Sequence, residues 1–207
     1  MTGTAEIRTD APQDELAVEA ALLVALRRNE EPAFNQFVRR YSGRMLATAR
    51  RLLRSEDDCA DAVQEAFISA YQAIDRFEGN SRIGTWLHRI VVNACLMKLR
   101  SRSRRPEVSI DNLLPAFSNW GHHAVGVPTW NKAPDDELVT AETRALVRRS
   151  IDQLPEDFRT ILLLRDIEEL STEEAANALQ ISIGAAKVRL HRARQALRTI
   201  LEPHFSS

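Results

Sequence analysis

Between Lys187 and Arg198 the chain carries Lys187, Arg189, Arg192, Arg194 and Arg198 with no acid among them. Wound as a helix, Lys187, His191, Arg194 and Arg198 share one face, with Val188 and Arg192 beside them. Ala186, Leu190, Ala193 and Leu197 form an apolar stripe on a neighbouring side. Long cationic side chains reach phosphates, and Arg or Lys can also pair with guanine edges. Ala185 and Val188 are small enough to let the backbone approach and to touch a thymine methyl. A second group lies between Arg82 and Arg105, again basic without an acid. There Arg82, Trp86, Arg89, Asn93 and Arg100 cluster on one side of a helix. An aromatic ring can stack on or wedge against an unpaired base while cations follow the backbone. A third group has the opposite sign. From Glu56 to Asp75 there are acids and no base, and Asp57, Asp61, Gln64 and Glu65 fall on one side, a face suited to a basic partner.

None of these groups is built for bond-making. The sequence holds no phosphate-cradling glycine loop and no nucleophile beside a base. His122 and His123 lack metal-site spacing with Cys59 or Cys95. No catalytic residue, metal or cofactor is expected, and the two cysteines read as buried packing.

The elements that carry these groups are helices. Asp14 can cap a helix through Arg27 with Leu16, Ala20 and Leu23 on one side. Pro32 stands where a helix begins, and Phe34, Phe37, Val38, Tyr41, Met45, Ala49 and Leu52 recur at helical spacing after it. Ser55 with Asp58 resembles a capping box for a third helix that buries Val63, Phe67, Ala70, Tyr71 and Ile74. Gly79-Asn80-Ser81 breaks the chain, and a fourth helix runs from about Ile83 to Arg100 on a stripe of Ile83, Leu87, Ile90, Val91 and Ala94. From Ser101 to Asp136, Pro106, Pro115, Pro128 and Pro134 interrupt any helix, so this stretch reads as a linker. Its Leu113, Leu114, Phe117, Trp120 and Trp130 are costly to leave in water and should dock on this protein or a partner. Helix returns from about Glu137. Ser171-Thr172-Glu173-Glu174 is a capping box, Gln180-Ile181-Ser182 makes a turn, and Ser182 caps the next helix. A short helix turned tightly into a basic one is a helix-turn-helix, whose second helix suits the major groove. No segment alternates like a strand.

The fold class is therefore all-α, with two small helical domains joined by a long linker: 14–104, 105–136 and 137–203. With 28 basic and 29 acidic residues the net charge is −1, yet the segregated blocks create local fields that the sum conceals. No apolar run approaches the roughly 18 residues of a membrane span. The N-terminus shows no signal peptide, and cysteine usage fits a reducing cytoplasm.

Three runs carry a specific resemblance: Asp58 to Phe67, Phe77 to Ser81, and Thr85 to Asn93. Together they resemble region 2 of the extracytoplasmic-function sigma factors, and Leu154 through Arg194 is similar to their region 4. Both blocks stand in family order, separated by a linker. The resemblance implies a promoter-specificity factor for RNA polymerase, working without cofactor on duplex −35 DNA and single-stranded −10 DNA. By the same resemblance, Asp57, Asp61, Gln64 and Glu65 dock on the clamp helices of core RNA polymerase. The loop from Gly79 to Ile83 takes a flipped −10 base through Asn80 and Ser81, and Arg82, Trp86, Arg89, Asn93 and Arg100 grip the melted strand. Ser182, Ala185, Lys187, Val188, Arg189, His191 and Arg192 meet the −35 element. Leu162 to Leu164 help seat region 4 on the polymerase flap, and an anti-sigma factor is a further implied partner. The alternative is a stand-alone helix-turn-helix regulator with an α-helical effector domain. It explains the C-terminal third but leaves the acidic and Trp86 faces as coincidences.

Overall fold

The computed structural model describes residues 11–102, 110–114 and 141–205. Among these residues every regular element is helical. Contacts divide the chain into two compact units, Met1–Arg104 and Arg105–Ser207.

The first unit contains α1 (Ala11–Arg27), α2 (Glu31–Leu52), α3 (Glu56–Ala73), a 3-10 turn (Ile74–Arg76) and α4 (Ile83–Arg102). Helices α2, α3 and α4 pack on one another, and α1 lies against α2 and the 3-10 turn. Phe37, Met45, Leu52, Phe67, Leu87 and Val91 fill the space between them. Burying each such side chain fully stabilises the fold by about 1.5–3 kcal/mol. The Phe37 ring meets Tyr41 and Phe67 edge-on, with centroids 5.4 and 5.3 Å away. Helix α4 begins close against α2: a Cβ on Gly84 would stand 3.0 Å from the Tyr41 ring. Ser55 caps α3 by accepting a hydrogen bond from the Asp58 amide at 3.4 Å.

Helix α1 and Tyr71 differ from the sequence expectation. Among the described residues Ala11 to Gln13 are already helical, so Asp14 lies inside α1 rather than capping it. The helix buries Leu22 and Leu26, whereas Leu16 and Ala20 are exposed and Leu23 is half-buried. This helix is rich in Leu, Val and Ala on all sides, so its spacing admits more than one stripe. Tyr71 is exposed rather than buried. Its ring stands edge-on to Phe34, and its hydroxyl donates to Asn29 Oδ1 at 2.8 Å. Asn29 itself turns the chain between α1 and α2 at φ +57°, a conformation Asn tolerates better than most residues.

The second unit contains a 3-10 turn (Asp111–Leu113), α5 (Ala141–Asp152), α6 (Glu156–Leu162), a π turn (Leu163–Ile167), α7 (Thr172–Leu179) and α8 (Ile183–Phe205). Helix α8 is the hub, packing on α5, α6, α7 and the 3-10 turn. Ile161 to Leu164 are buried as a continuous run, because α6 leads straight into the π turn beneath its neighbours. There the Glu168 amide reaches five residues back to the Leu163 carbonyl at 2.9 Å. Leu162 to Leu164 are therefore core residues of the second unit rather than an exposed surface. Leu113 and Leu114 are half-buried. Phe117, Trp120, His122, His123 and Trp130 lie outside the described residues.

Candidate functional site

The acidic face belongs to α3. Three acids in its first turn suit the positive end of the helix. Cys59, Ala62, Val63, Ala66, Phe67 and Ala70 bury one side, which leaves Asp57, Asp61, Gln64 and Glu65 exposed on the other. One cation interrupts this face. Lys98 of α4 places its Nζ 3.5 Å from Asp61 Oδ2 and 3.3 Å from Glu65 Oε1. The carboxylates remain about 60% exposed and the lysine side chain only 19%. Lys98 was not among the sequence-predicted residues. Its position in the basic block gave no sign that it crosses to α3.

The aromatic and basic face belongs to α4 and the loop before it. Gly79 at φ +77° supplies the turn that a side chain would strain. Asn80 is exposed, its Nδ2 donating to Glu78 Oε2 at 2.9 Å. Ser81 is half-buried, and its hydroxyl lies 3.4 Å from the Arg82 carbonyl. Arg82 is exposed and ion-paired with Glu15 of α1 at 3.4 Å. Trp86 is neither a core residue nor free: half-buried, it rests on Phe77 with centroids 4.9 Å apart and rings tilted by 37°. Arg89, Asn93 and Arg100 are exposed and follow Trp86 along the same side of the helix. The buried side is Ile83, Leu87, Val91, Val92, Cys95 and Leu96; Ile90 and Ala94 are half-buried. Burial pushes the Cys59 thiol up from its ordinary value.

The third face is on α8. Helix α7 opens on a complete capping box between Ser171 and Glu174, with bonds of 3.1 and 2.8 Å. It closes at Gln180, held at φ +57°, with the Ile181 amide bonded to the Ala176 carbonyl at 3.0 Å. Ser182 then caps α8, accepting from the Ala185 amide at 3.1 Å. Ala186, Leu190, Ala193 and Ala196 turn inward; Leu197 is only half-buried. Ala185, Lys187, Val188 and His191 are exposed together, and Val188 is 60% accessible. Arg192 stands beside them with its guanidinium 5.9 Å from the centre of the Phe158 ring. Its Nη2 lies 2.6 Å from Oδ1 of Asp111. Arg189 sits at the margin instead, 20% exposed and 3.8 Å from Asp157 of α6. Arg194 makes a two-pronged bond to Asp166 at 2.6 and 3.0 Å, and that hydrogen bonding pushes its guanidinium above the ordinary value.

The two described units thus present an acidic face, an aromatic–cationic face with an adjoining loop, and a helix-turn-helix. No group of acids, histidines and cysteines among the described residues could hold a metal ion. No described helix is long and apolar enough to cross a membrane.

Comparison with known proteins gives matches to both units. Residues 37–105 match the family described as Sigma-70 region 2, and residues 144–197 match Sigma-70, region 4. The chain is 36% identical over 191 residues to the RNA polymerase sigma-H factor of Pseudomonas aeruginosa, covering 92% of this chain and 95% of that protein. It is 34% identical over 189 residues to the ECF RNA polymerase sigma-E factor of Escherichia coli K12, covering 91% and 97%. Among solved structures, its fold is similar to the sigma factor RpoE crystallised with the anti-sigma factor NepR from Bartonella quintana. That likeness has a TM-score of 0.50 and 24% identity, over 82% of this chain and 96% of that one.

Proposed function

Since the chain belongs to the extracytoplasmic-function branch of the sigma-70 family, we propose how its three faces divide the work of a sigma factor. Such a factor gives RNA polymerase its promoter specificity and directs the melting that starts transcription. A stand-alone helix-turn-helix regulator is not the identity of the chain, because region 2 accounts for residues 37–105 as well.

Asp57, Asp61, Gln64 and Glu65 on α3 dock on basic helices of the core enzyme. The loop from Gly79 to Ile83 takes an unpaired −10 base, read by Asn80 and Ser81. Arg82, Trp86, Arg89, Asn93 and Arg100 hold the rest of that strand. Ser182, Ala185, Lys187, Val188, Arg189, His191 and Arg192 meet duplex −35 DNA, with Arg189 at the edge of the contact. The domain division in this reading is 14–104 for docking and melting, 105–136 for the linker and 137–203 for −35 recognition. Trapping an unpaired base draws the duplex toward the open state by differential binding. The chain carries out no reaction of its own, needs no cofactor and works in the cytoplasm. An anti-sigma factor, the kind of partner bound by the RpoE of Bartonella quintana, holds it in check by covering the docking faces.

One observation carries this assignment. Within the first unit, an acidic exposed face and an aromatic–cationic one stand on two helices packed against each other. That pairing suits a body that holds a basic protein and an opened strand at once. Run-off transcription with added core polymerase tests it. Wild-type chain should support promoter-specific transcripts, Asp61→Ala/Glu65→Ala should lose them through weaker core binding, and Trp86→Ala should lose them with core binding intact. Transcripts undiminished in both variants would overturn the division of roles.

A further inference from the structure

Helix α1 has no part in the roles assigned above, yet it is tied to both ends of the loop before α4. At the entry to that loop, Arg27 Nη2 donates to the Phe77 carbonyl at 2.5 Å. At its exit, Glu19 Oε1 accepts from the Ile83 amide, also at 2.5 Å. Ile83 is the first residue of α4, so a carboxylate 64 residues away in sequence satisfies one of the amides that a helix start leaves open. Its charge faces the positive end of the helix dipole. One turn before Glu19, Glu15 holds Arg82 at 3.4 Å. Glu19 and Arg27 are eight residues apart, roughly 12 Å along the helix axis. Helix α1 therefore works as a strut across the loop's two ends.

We propose that Glu19 and Arg27 are positioning residues for strand capture, holding the loop in its base-receiving shape before DNA arrives. The inference rests on the reading that this loop receives the −10 base. Between the two tethers the backbone makes a left-handed turn at Gly79. Untethered, a glycine-containing loop samples many shapes, and ordering it at the moment of capture weakens binding. Tethered, it presents Asn80 and Ser81 with that cost already met by the fold. Neither Glu19 nor Arg27 need touch DNA.

The test uses the full chain bound to core polymerase and a template selected by the wild-type holoenzyme from a library randomised through the −10 element. The variants are Glu19→Ala, Glu19→Gln, Arg27→Ala and the loop double variant Asn80→Ala/Ser81→Ala. Glu19→Ala and Arg27→Ala should each lower the yield of open complexes by about tenfold and reduce discrimination at the captured base. Core polymerase affinity should stay unchanged. Glu19→Gln, which keeps an acceptor for the Ile83 amide, should recover most of the yield. Hydrogen exchange at the Ile83 amide should quicken in Glu19→Ala while α2 and α3 keep their protection. Full yield and discrimination in Glu19→Ala, with the loop double variant impaired, would overturn the positioning role and leave the loop's own role standing. Unchanged discrimination in the loop double variant would overturn the base-capture reading itself. Loss of α2 and α3 protection in Glu19→Ala would assign Glu19 to stability and overturn the proposal.

Discussion

Replacing Asp111 with Asn should tighten the hold of the second unit on duplex −35 DNA. Ile110 is buried, and the 3-10 turn that follows packs on α8. The Asp111 carboxylate is thereby brought to 2.6 Å from Arg192, among the side chains assigned to DNA. To bind a phosphate, Arg192 must leave this partner or share it. The pair is open to water, with side chains 38% and 71% exposed, so it is worth about 0.2–1 kcal/mol. Removing it should raise affinity by roughly 1.4- to 5-fold, since about 1.4 kcal/mol corresponds to tenfold. One more cation released to the phosphates should also steepen the plot of log affinity against log salt by up to about 0.9. The assay is titration of the holoenzyme against a duplex carrying only a −35 element, over a series of salt concentrations. Arg192→Ala serves as the background for a double-mutant cycle. In that background Asp111→Asn should have little effect. Weaker binding by Asp111→Asn would refute competition and mean that the carboxylate orients Arg192 for DNA; an undiminished gain without Arg192 would refute the pairing as its cause.

Three more outcomes follow from the packing and the charges. Asp61→Lys/Glu65→Lys should abolish core polymerase binding and also lower the melting temperature, because it crowds three cations around position 98; adding Lys98→Glu should restore the melting temperature and leave binding lost. Phe37→Ala should destabilise the first unit by about 3–5 kcal/mol in urea unfolding, since its ring is 1% exposed between two others. Burial pushes the Tyr41 phenol up from 10.0, so its contribution to stability is complete below that pH and is lost as pH rises through the higher folded-state value. Tyr41→Phe should therefore flatten the alkaline limb of a plot of unfolding midpoint against pH; an unchanged limb would mean that another group causes the loss.

What could be read in the sequence was local. Ser55, Ser171 and Ser182 announce their helices because a cap and its amide lie within three residues. The Gly79 break and the buried stripe of α8 are legible for the same reason, apart from Ala196 taking the inward place expected of Leu197. Family motifs in order supplied the identity. What stayed hidden was held by distant partners. Lys98 reaches Asp61 across 37 residues, Glu19 reaches Ile83 across 64, and Arg192 reaches Asp111 across 81. Periodicity records which side of a helix is apolar and says nothing of which charge will stand opposite. The same limit explains Leu162 to Leu164. A run of leucines looks alike whether it meets a partner or the underside of its own neighbours, and here it meets the latter.

The widened turn from Leu163 to Ile167 has a consequence for how this region tolerates change in length. Its spiral accommodates one residue more than an ordinary winding would. Deleting a single residue there could be absorbed by retightening the coil, whereas the same deletion within α6 would swing every later side chain by roughly 100° about the axis. Downstream stand the capped turn and the basic helix proposed to meet −35 DNA, both keyed to the orientation in which this coil delivers them. The wide turn is thus where the register between α6 and the helices after it is set.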